Sequence, residues 1–280
     1  MDKTRIALVQ MESMLGRAGE NLVKMELFIR QAAQQKVDII CFPELCIQCY
    51  SREQSNATAE PVPGPSSRRI LAMAKENSIT VLAGLAEKSL TGKPYITHLV
   101  ACPDGRLLKY RKTHLGNSEK PYFTPGDDFP VFHLENRAIF GLGICWDLHF
   151  PEVSAILSLK GAEIIFAPHA SPSIVGDRRE IWLKYMGARA YDNAVFVAAC
   201  NLVGNDGTGR SFCGGALVID PRGNVTAEAF NKGEEMLVAD LDPGIINAIR
   251  YHESSSMRFS FYLKARRPEL YGELLQKKNP

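Results

Sequence analysis

The chain has 280 residues, with 33 basic and 31 acidic side chains, a formal charge of +2 and 45% hydrophobic residues. That length suits one large domain or two small ones with a core of ample size, and the composition excludes disordered, fibrous or collagen-like chains. Near-neutral charge offers no attraction to nucleic acid or to an anionic membrane, so a small-molecule partner is expected.

In chain order, residues 5–10 read as an apolar strand. Residues 20–34 read as a helix, with Leu22, Val23, Leu27 and Phe28 at helical spacing, and 37–42 as a fully apolar strand. Such a strand expects cover on both faces, helices on one side and a second sheet on the other. Residues 60–67 form a Pro-rich loop ending in a helix N-cap, followed by a helix over 68–77 and a strand over 79–86. Residues 97–101 with 106–110, and 218–220 with 224–227, flank turns containing Asp104-Gly105 and Pro221-Arg222-Gly223, which predicts hairpins. Strands over 138–144, 162–167 and 194–200 alternate with helices over 151–160 and 177–191. Without a linker or repeat, the chain reads as a single mixed α/β domain over 1–280. Its basic, aromatic stretch 245–280 reads as a C-terminal packing arm.

No apolar run nears the roughly 20 residues that span a bilayer, and the N-terminus lacks the apolar core of a secretory leader. Seven cysteines, an odd number, fit a reducing cytoplasm.

Three segments each place a reactive residue at the end of an apolar strand: Phe42-Pro43-Glu44, Tyr110-Arg111-Lys112-Thr113-His114-Leu115 and Gly141-Leu142-Gly143-Ile144-Cys145-Trp146-Asp147. Rigid strand ends are where scaffolds hold functional groups. A carboxylate can relay the thiol proton to a leaving group while an ammonium stabilises an oxyanion, so acyl transfer through a thioester is the implied chemistry. Each residue alone also reads blandly, as a buried thiol, a loop acid and an exposed lysine.

Together, the segments resemble the signature of the nitrilase superfamily of carbon-nitrogen hydrolases. The likeness runs from Ile6 to Tyr271 and includes Pro151-Glu152 and Ala190-Tyr191-Asp192-Asn193. It implies a four-layer α-β-β-α sandwich, assembled as a homodimer or a larger even homo-oligomer, with no cofactor. It makes Cys145 the nucleophile, Glu44 the general base and acid, and Lys112 the oxyanion-stabilising cation, with the backbone N–H of Trp146 as a second donor. Glu119 matches a second glutamate that contacts the lysine.

Cys41, Cys46 and Cys49 have a C-x4-C-x2-C spacing shared with some iron-sulfur ligands, Cys102 being a nominal fourth. Their place around an apolar strand favours buried thiols, and no histidine spacing suggests a metal. Position near the thiol nominates Cys49, Tyr50, Asn117, Trp146, His149, His169 and Ala170 as substrate-binding residues. True nitrilases follow the cysteine with Trp-Glu, whereas Asp147 follows Trp146 here. Carbamoylases place an arginine just beyond to clamp a carboxylate, but this chain has Leu148 and His149. The motifs most resemble the N-carbamoylputrescine amidase branch, and the expected substrate is a small linear amide or ureido compound. A nitrilase proper and a non-catalytic binding protein on the same fold are the rivals.

Overall fold

Ile6-Ala7-Leu8-Val9, in the first strand, is apolar on both faces, and the fold buries both. Ile6 and Leu8 face a cluster between two sheets, while Ala7 and Val9 face one beneath helices. The computed structural model describes residues 1–276 apart from 91, 135–136 and 253–255. The first sheet contains β1 (Thr4–Gln10), β2 (Ile39–Cys41), β3 (Thr80–Glu87), β4 (Tyr95–Ala101) and β5 (Leu107–Arg111). The second contains β6 (Val131–Leu134), β7 (Ala138–Leu142), β8 (Ile164–His169) and β9 (Phe196–Asn201). A small ribbon of β10 (Val203–Asn205) and β11 (Ser211–Cys213) follows. The second sheet is completed by β12 (Ala216–Ile219) and β13 (Val225–Ala229), and the first by β14 (Glu235–Leu241). Each large sheet has six strands, in the orders β14-β1-β2-β3-β4-β5 and β13-β12-β9-β8-β7-β6.

Three apolar clusters separate four layers. Phe140, Phe166, Leu82 and Val100 interdigitate between the sheets. α1 (Ala18–Gln34) and α3 (Pro65–Glu76) cover the first sheet through Met25, Ile29, Ile70 and Met73. α4 (Pro151–Leu159) and α5 (Arg178–Asn193) cover the second through Leu157, Trp182 and Met186. The four-layer α-β-β-α sandwich and the mixed strand directions expected from the sequence are both present.

Some local readings shift. The strand expected over 37–42 is assigned as β2 only from Ile39 to Cys41; the Phe42 N–H still donates to the Leu82 carbonyl at 2.9 Å, and the chain then turns away at Pro43, which has no N–H for a ladder. The helix expected from residue 68 begins at Pro65. Gly64 is the cap, and Ser67, at the third helical position, accepts from the Gly64 N–H at 2.7 Å. β14 was not legible locally; it pairs with β1 over its full length, from Thr4↔Leu241 to Gln10↔Glu235. In the stretch 245–280, residues 253–255 and 277–280 lie outside the described residues. Its start belongs to α6 (Pro243–Arg250), whose Ile246 enters the inter-sheet core. Arg250, at the end of α6, is also buried, donating to the Ala194 and Ala162 carbonyls at 3.0 and 2.6 Å beyond the ends of α5 and α4.

Candidate active site

Strand direction brings the reactive residues to one edge of the sandwich. β2 and β3 are parallel, and β3, β4 and β5 alternate, so β2 and β5 end on the same side. Glu44 stands three residues beyond β2 and Lys112 one beyond β5, while β7 and β8, themselves parallel, deliver Cys145 and His169 from the other sheet. Glu44, Tyr50, Lys112, Asn117, Glu119, Cys145, Trp146, His149, His169 and Ala170 all line one cavity of about 510 Å³. Close backbone approach makes this possible. A Cβ on Gly84 would sit 2.3 Å from the Leu45 nitrogen, so only glycine lets the Glu44 loop pack on β3.

Lys112 is buried between two carboxylates, its Nζ 2.8 Å from Glu44 Oε1 and 2.9 Å from Glu119 Oε1. Every partner is itself held. The Ala170 N–H donates to Glu44 Oε2 at 3.0 Å, the Tyr50 hydroxyl to Glu119 Oε1 at 2.9 Å and the Gly116 N–H to Glu119 Oε2 at 2.8 Å. Burial pushes the Glu44 carboxyl up to about 7; Lys112 opposes this and Glu119 adds to it. Burial works against the Lys112 ammonium, yet Glu44 and Glu119 outweigh it and hold its pKa well above the ordinary value. Burial, then the Glu44 charge, pushes the Cys145 thiol up to about 12, against the pull of Lys112. The site therefore holds a neutral thiol together with a carboxyl poised near neutrality and a lysine kept as a cation.

Cys145 opens a 3-10 turn, Cys145–His149, that leads from β7 towards α4. Its φ of +46° lies in the left-handed region, uncommon for a side chain with a Cβ and frequent at functional sites. Gly143 makes room for the turn, because a Cβ there would meet Leu148 Cδ2 at 2.1 Å. The fully buried Asp147 holds the turn's geometry. Its Oδ2 accepts from the Ile144 N–H at 2.9 Å and the Tyr110 hydroxyl at 2.8 Å. Its Oδ1 accepts from the His114 N–H at 2.8 Å and the Thr113 hydroxyl at 2.9 Å. One carboxylate thus ties the cysteine turn to the segment carrying Lys112.

The cavity wall is aromatic on the Cys145 side. The rings of Trp146 and His149 are 4.8 Å apart, and those of His149 and Tyr185 4.5 Å. His169 is buried, its Nδ1–H directed at the Ala167 carbonyl at 2.8 Å. Burial, reinforced by Arg178, lowers the pKa of both histidines and favours neutral rings. Tyr50 and Ala170 reach the cavity while also supporting Glu119 and Glu44. Arg52, Arg178 and Arg210 line the cavity too; the sequence did not single out Arg178 and Arg210, which come from segments remote from the three motifs, nor Arg52, which follows Tyr50 by two residues and reads as a solvated loop charge. The four cysteines of the competing pattern do not converge: Cys41 and Cys102 lie between the sheets, Cys46 and Cys49 beneath the helices.

Comparison with known proteins identifies the family. The model of the carbon-nitrogen hydrolase family matches residues 5–251. The chain is 31% identical to the omega-amidase NIT2 of Mus musculus over 281 residues, covering 97% of this chain and 98% of that protein. It is 33% identical to an (R)-stereoselective amidase of Pseudomonas sp over 270 residues, covering 96% of this chain and 93% of that one. A solved mutant amidase of Nesterenkonia sp. AN1, in complex with butyramide, superposes with a TM-score of 0.82 at 26% identity, covering 96% of each chain. From fold, site and matched family together, this chain belongs to the carbon-nitrogen hydrolases of the nitrilase superfamily.

Proposed function

We propose that this protein hydrolyses the carbon-nitrogen bond of a small linear amide or ureido compound through a thioester on Cys145. The observation that carries this reading is the meeting of Glu44, Lys112, Glu119 and Cys145 in one cavity, with Lys112 in direct contact with both carboxylates. The amidases among the matched proteins support the amide over the nitrile.

In the proposed reaction, Cys145 Sγ attacks the substrate carbonyl as Glu44 takes the thiol proton. A thiol near 12 and a carboxyl near 7 make separate ionisation unfavourable, so proton removal accompanies attack. Lys112 Nζ and the Trp146 N–H stabilise the tetrahedral oxyanion. Collapse expels ammonia or an amine, which receives the proton from Glu44. Glu44 then activates a water that hydrolyses the thioester and restores the thiol. Glu119 and Tyr50 hold Lys112 in place, and Trp146, His149, His169 and Ala170 bound the substrate. The chemistry on this route draws on side chains, one backbone N–H and water, with no cofactor.

The free thiols and the need to keep Cys145 reduced fit a cytoplasmic enzyme. Exposed Met257, Leu270, Leu274 and Leu275 suit burial between copies in a homodimer or a larger even assembly. The deciding experiment measures ammonia release from primary amides, N-carbamoyl compounds and nitriles, with intact-mass detection of an acyl adduct. Turnover of amides or ureido compounds with a mass increment on Cys145 is expected. Release from nitriles alone would favour the nitrilase, and no adduct on any substrate a binding protein.

A further inference from the structure

His169 ends β8 and lines the cavity while only 1% exposed. Its Nδ1 lies 2.8 Å from the Ala167 carbonyl, which can only accept, so Nδ1 carries a hydrogen. Burial, reinforced by Arg178, keeps the ring neutral, and its other nitrogen, Nε2, is therefore a bare acceptor. Among the described residues, the one hydrogen-bond partner of Nε2 is the Tyr185 hydroxyl at 3.4 Å, longer than a well-formed bond.

A bare acceptor stands out because the rest of the cavity is rich in donors. Arg52, Arg178 and Arg210 accept nothing, and Glu44 and Glu119 both hold Lys112. The backbone places this acceptor beside the proposed base. The His169 carbonyl accepts from the Glu44 N–H at 3.3 Å, and the N–H of the next residue, Ala170, donates to Glu44 Oε2 at 3.0 Å. The Lys112 and Arg178 charges both act on the His169 ring, and its neighbour Tyr185 responds to Cys145. An acceptor in the same cavity as base and thiol suits a substrate N–H, and in a simple primary amide the scissile nitrogen carries the only ones.

We propose that His169 Nε2 accepts a hydrogen bond from the scissile amide nitrogen, aiming the lone pair of that nitrogen at the proton on Glu44. This rests on the amidase reading of the same cavity and names its leaving group: a nitrogen that keeps at least one N–H, as in primary amides and ureido compounds. In the tetrahedral intermediate the nitrogen takes the Glu44 proton, the carbon-nitrogen bond breaks with its electron pair going to nitrogen, and ammonia or an amine departs. His169 gains and loses no proton. Its contact is made to the bound amide and strengthens as the nitrogen becomes positive, so it assists collapse more than binding. An ester of the same acid has no hydrogen on its leaving oxygen and gains nothing from this contact.

The test compares butyramide with methyl butyrate, which share an acyl group and differ in the leaving atom, in the full-length protein and in His169→Leu, His169→Gln and Tyr185→Phe. His169→Leu is expected to lower the amide-to-ester ratio of kcat/KM by about 10-fold, and His169→Gln, whose amide oxygen still accepts, to lower it less. Ester turnover reports that each variant is folded. In Cys145→Ala, a background that binds without turnover, adding His169→Leu should raise the Kd of butyramide by about 3-fold and leave that of methyl butyrate in place. A ratio that survives His169→Leu, whether both rates hold or fall together, would overturn the proposal and leave the amidase reading standing. So would a ratio that collapses in Tyr185→Phe alone, which would hand the contact to the tyrosine oxygen. Absence of ammonia release from every amide and ureido compound would overturn the amidase reading itself.

Discussion

β5 serves two glutamate clusters built from the same residue types and opposite in behaviour. Glu87 accepts from Lys109 and Arg111, both at 2.6 Å, and from the Thr97 hydroxyl at 2.8 Å. Burial alone would raise its pKa, but those hydrogen bonds overcome it and hold Glu87 below the usual carboxylate range. Glu44, in contact with Lys112 one residue past the end of the same strand, is raised to about 7. The difference is deeper burial of Glu44, which raises it most, together with charge balance. Glu87 has two partly exposed cations to itself, whereas Glu44 shares one fully buried cation with Glu119. A carboxylate with surplus positive charge is locked as an anion and serves structure; one short of it is left able to take a proton.

The widest separation between the clusters should appear in turnover. Cys145→Ala and Glu44→Gln are each expected to lower kcat by about 10⁴-fold or more with the fold retained, while Glu87→Gln changes kcat by less than about 3-fold. Ammonia release and circular dichroism on the three variants decide this, and substantial turnover by Cys145→Ala would end the thioester mechanism. The lysines follow the same division. Lys112→Met leaves two buried carboxylates facing each other. It is expected to reduce kcat/KM by about 10³-fold and to cost about 3–5 kcal/mol in urea unfolding. Lys109→Met breaks a half-exposed pair that another cation backs up, and should cost no more than about 1 kcal/mol.

Asp147 lies between these extremes, acting through position alone. Asp147→Asn replaces one acceptor oxygen with a donor against the Ile144 N–H and Tyr110 hydroxyl or against the His114 N–H and Thr113 hydroxyl. A loss of about 2 kcal/mol in stability is expected, with kcat down about 100-fold and KM little changed, because the cysteine turn and the lysine segment lose their common anchor. A fall in stability with unchanged kcat would reduce Asp147 to a purely structural buried acid.

How far this arrangement was legible in the sequence depended on whether its cause was local. Glu44, Lys112 and Cys145 each read blandly alone and stood out because the short motifs around them, which are local, together resemble a family signature. So did the helices, where apolar spacing placed the start of α5 within one residue. β14 was illegible because its place is set by pairing with β1 more than two hundred residues away. Asp147 was visible as a motif residue, but its partners Tyr110 and Thr113 belong to another segment, so its function could not be read. Arg178 follows Asp177 at a helix start and reads as an ordinary surface charge until the fold buries it against the cavity.

The smallest effect is also the most direct measure of the contrast between the two glutamates. Glu44 must be ionised to accept the thiol proton, so kcat/KM in the wild type should rise with pH through a midpoint of about 7 and then level off, the thiol titrating far above. Glu119 raises the Glu44 pKa by like-charge repulsion and takes a share of Lys112. Glu119→Gln removes that repulsion and leaves the ammonium to Glu44 alone, converting its surroundings towards those of Glu87. The rising limb of the turnover that remains should therefore move to lower pH. The direction carries the weight: burial is unchanged by the substitution, so a limb that stays in place would show that desolvation alone sets the base, while a shift upward would mean that Glu119 was helping Lys112 to hold the Glu44 charge.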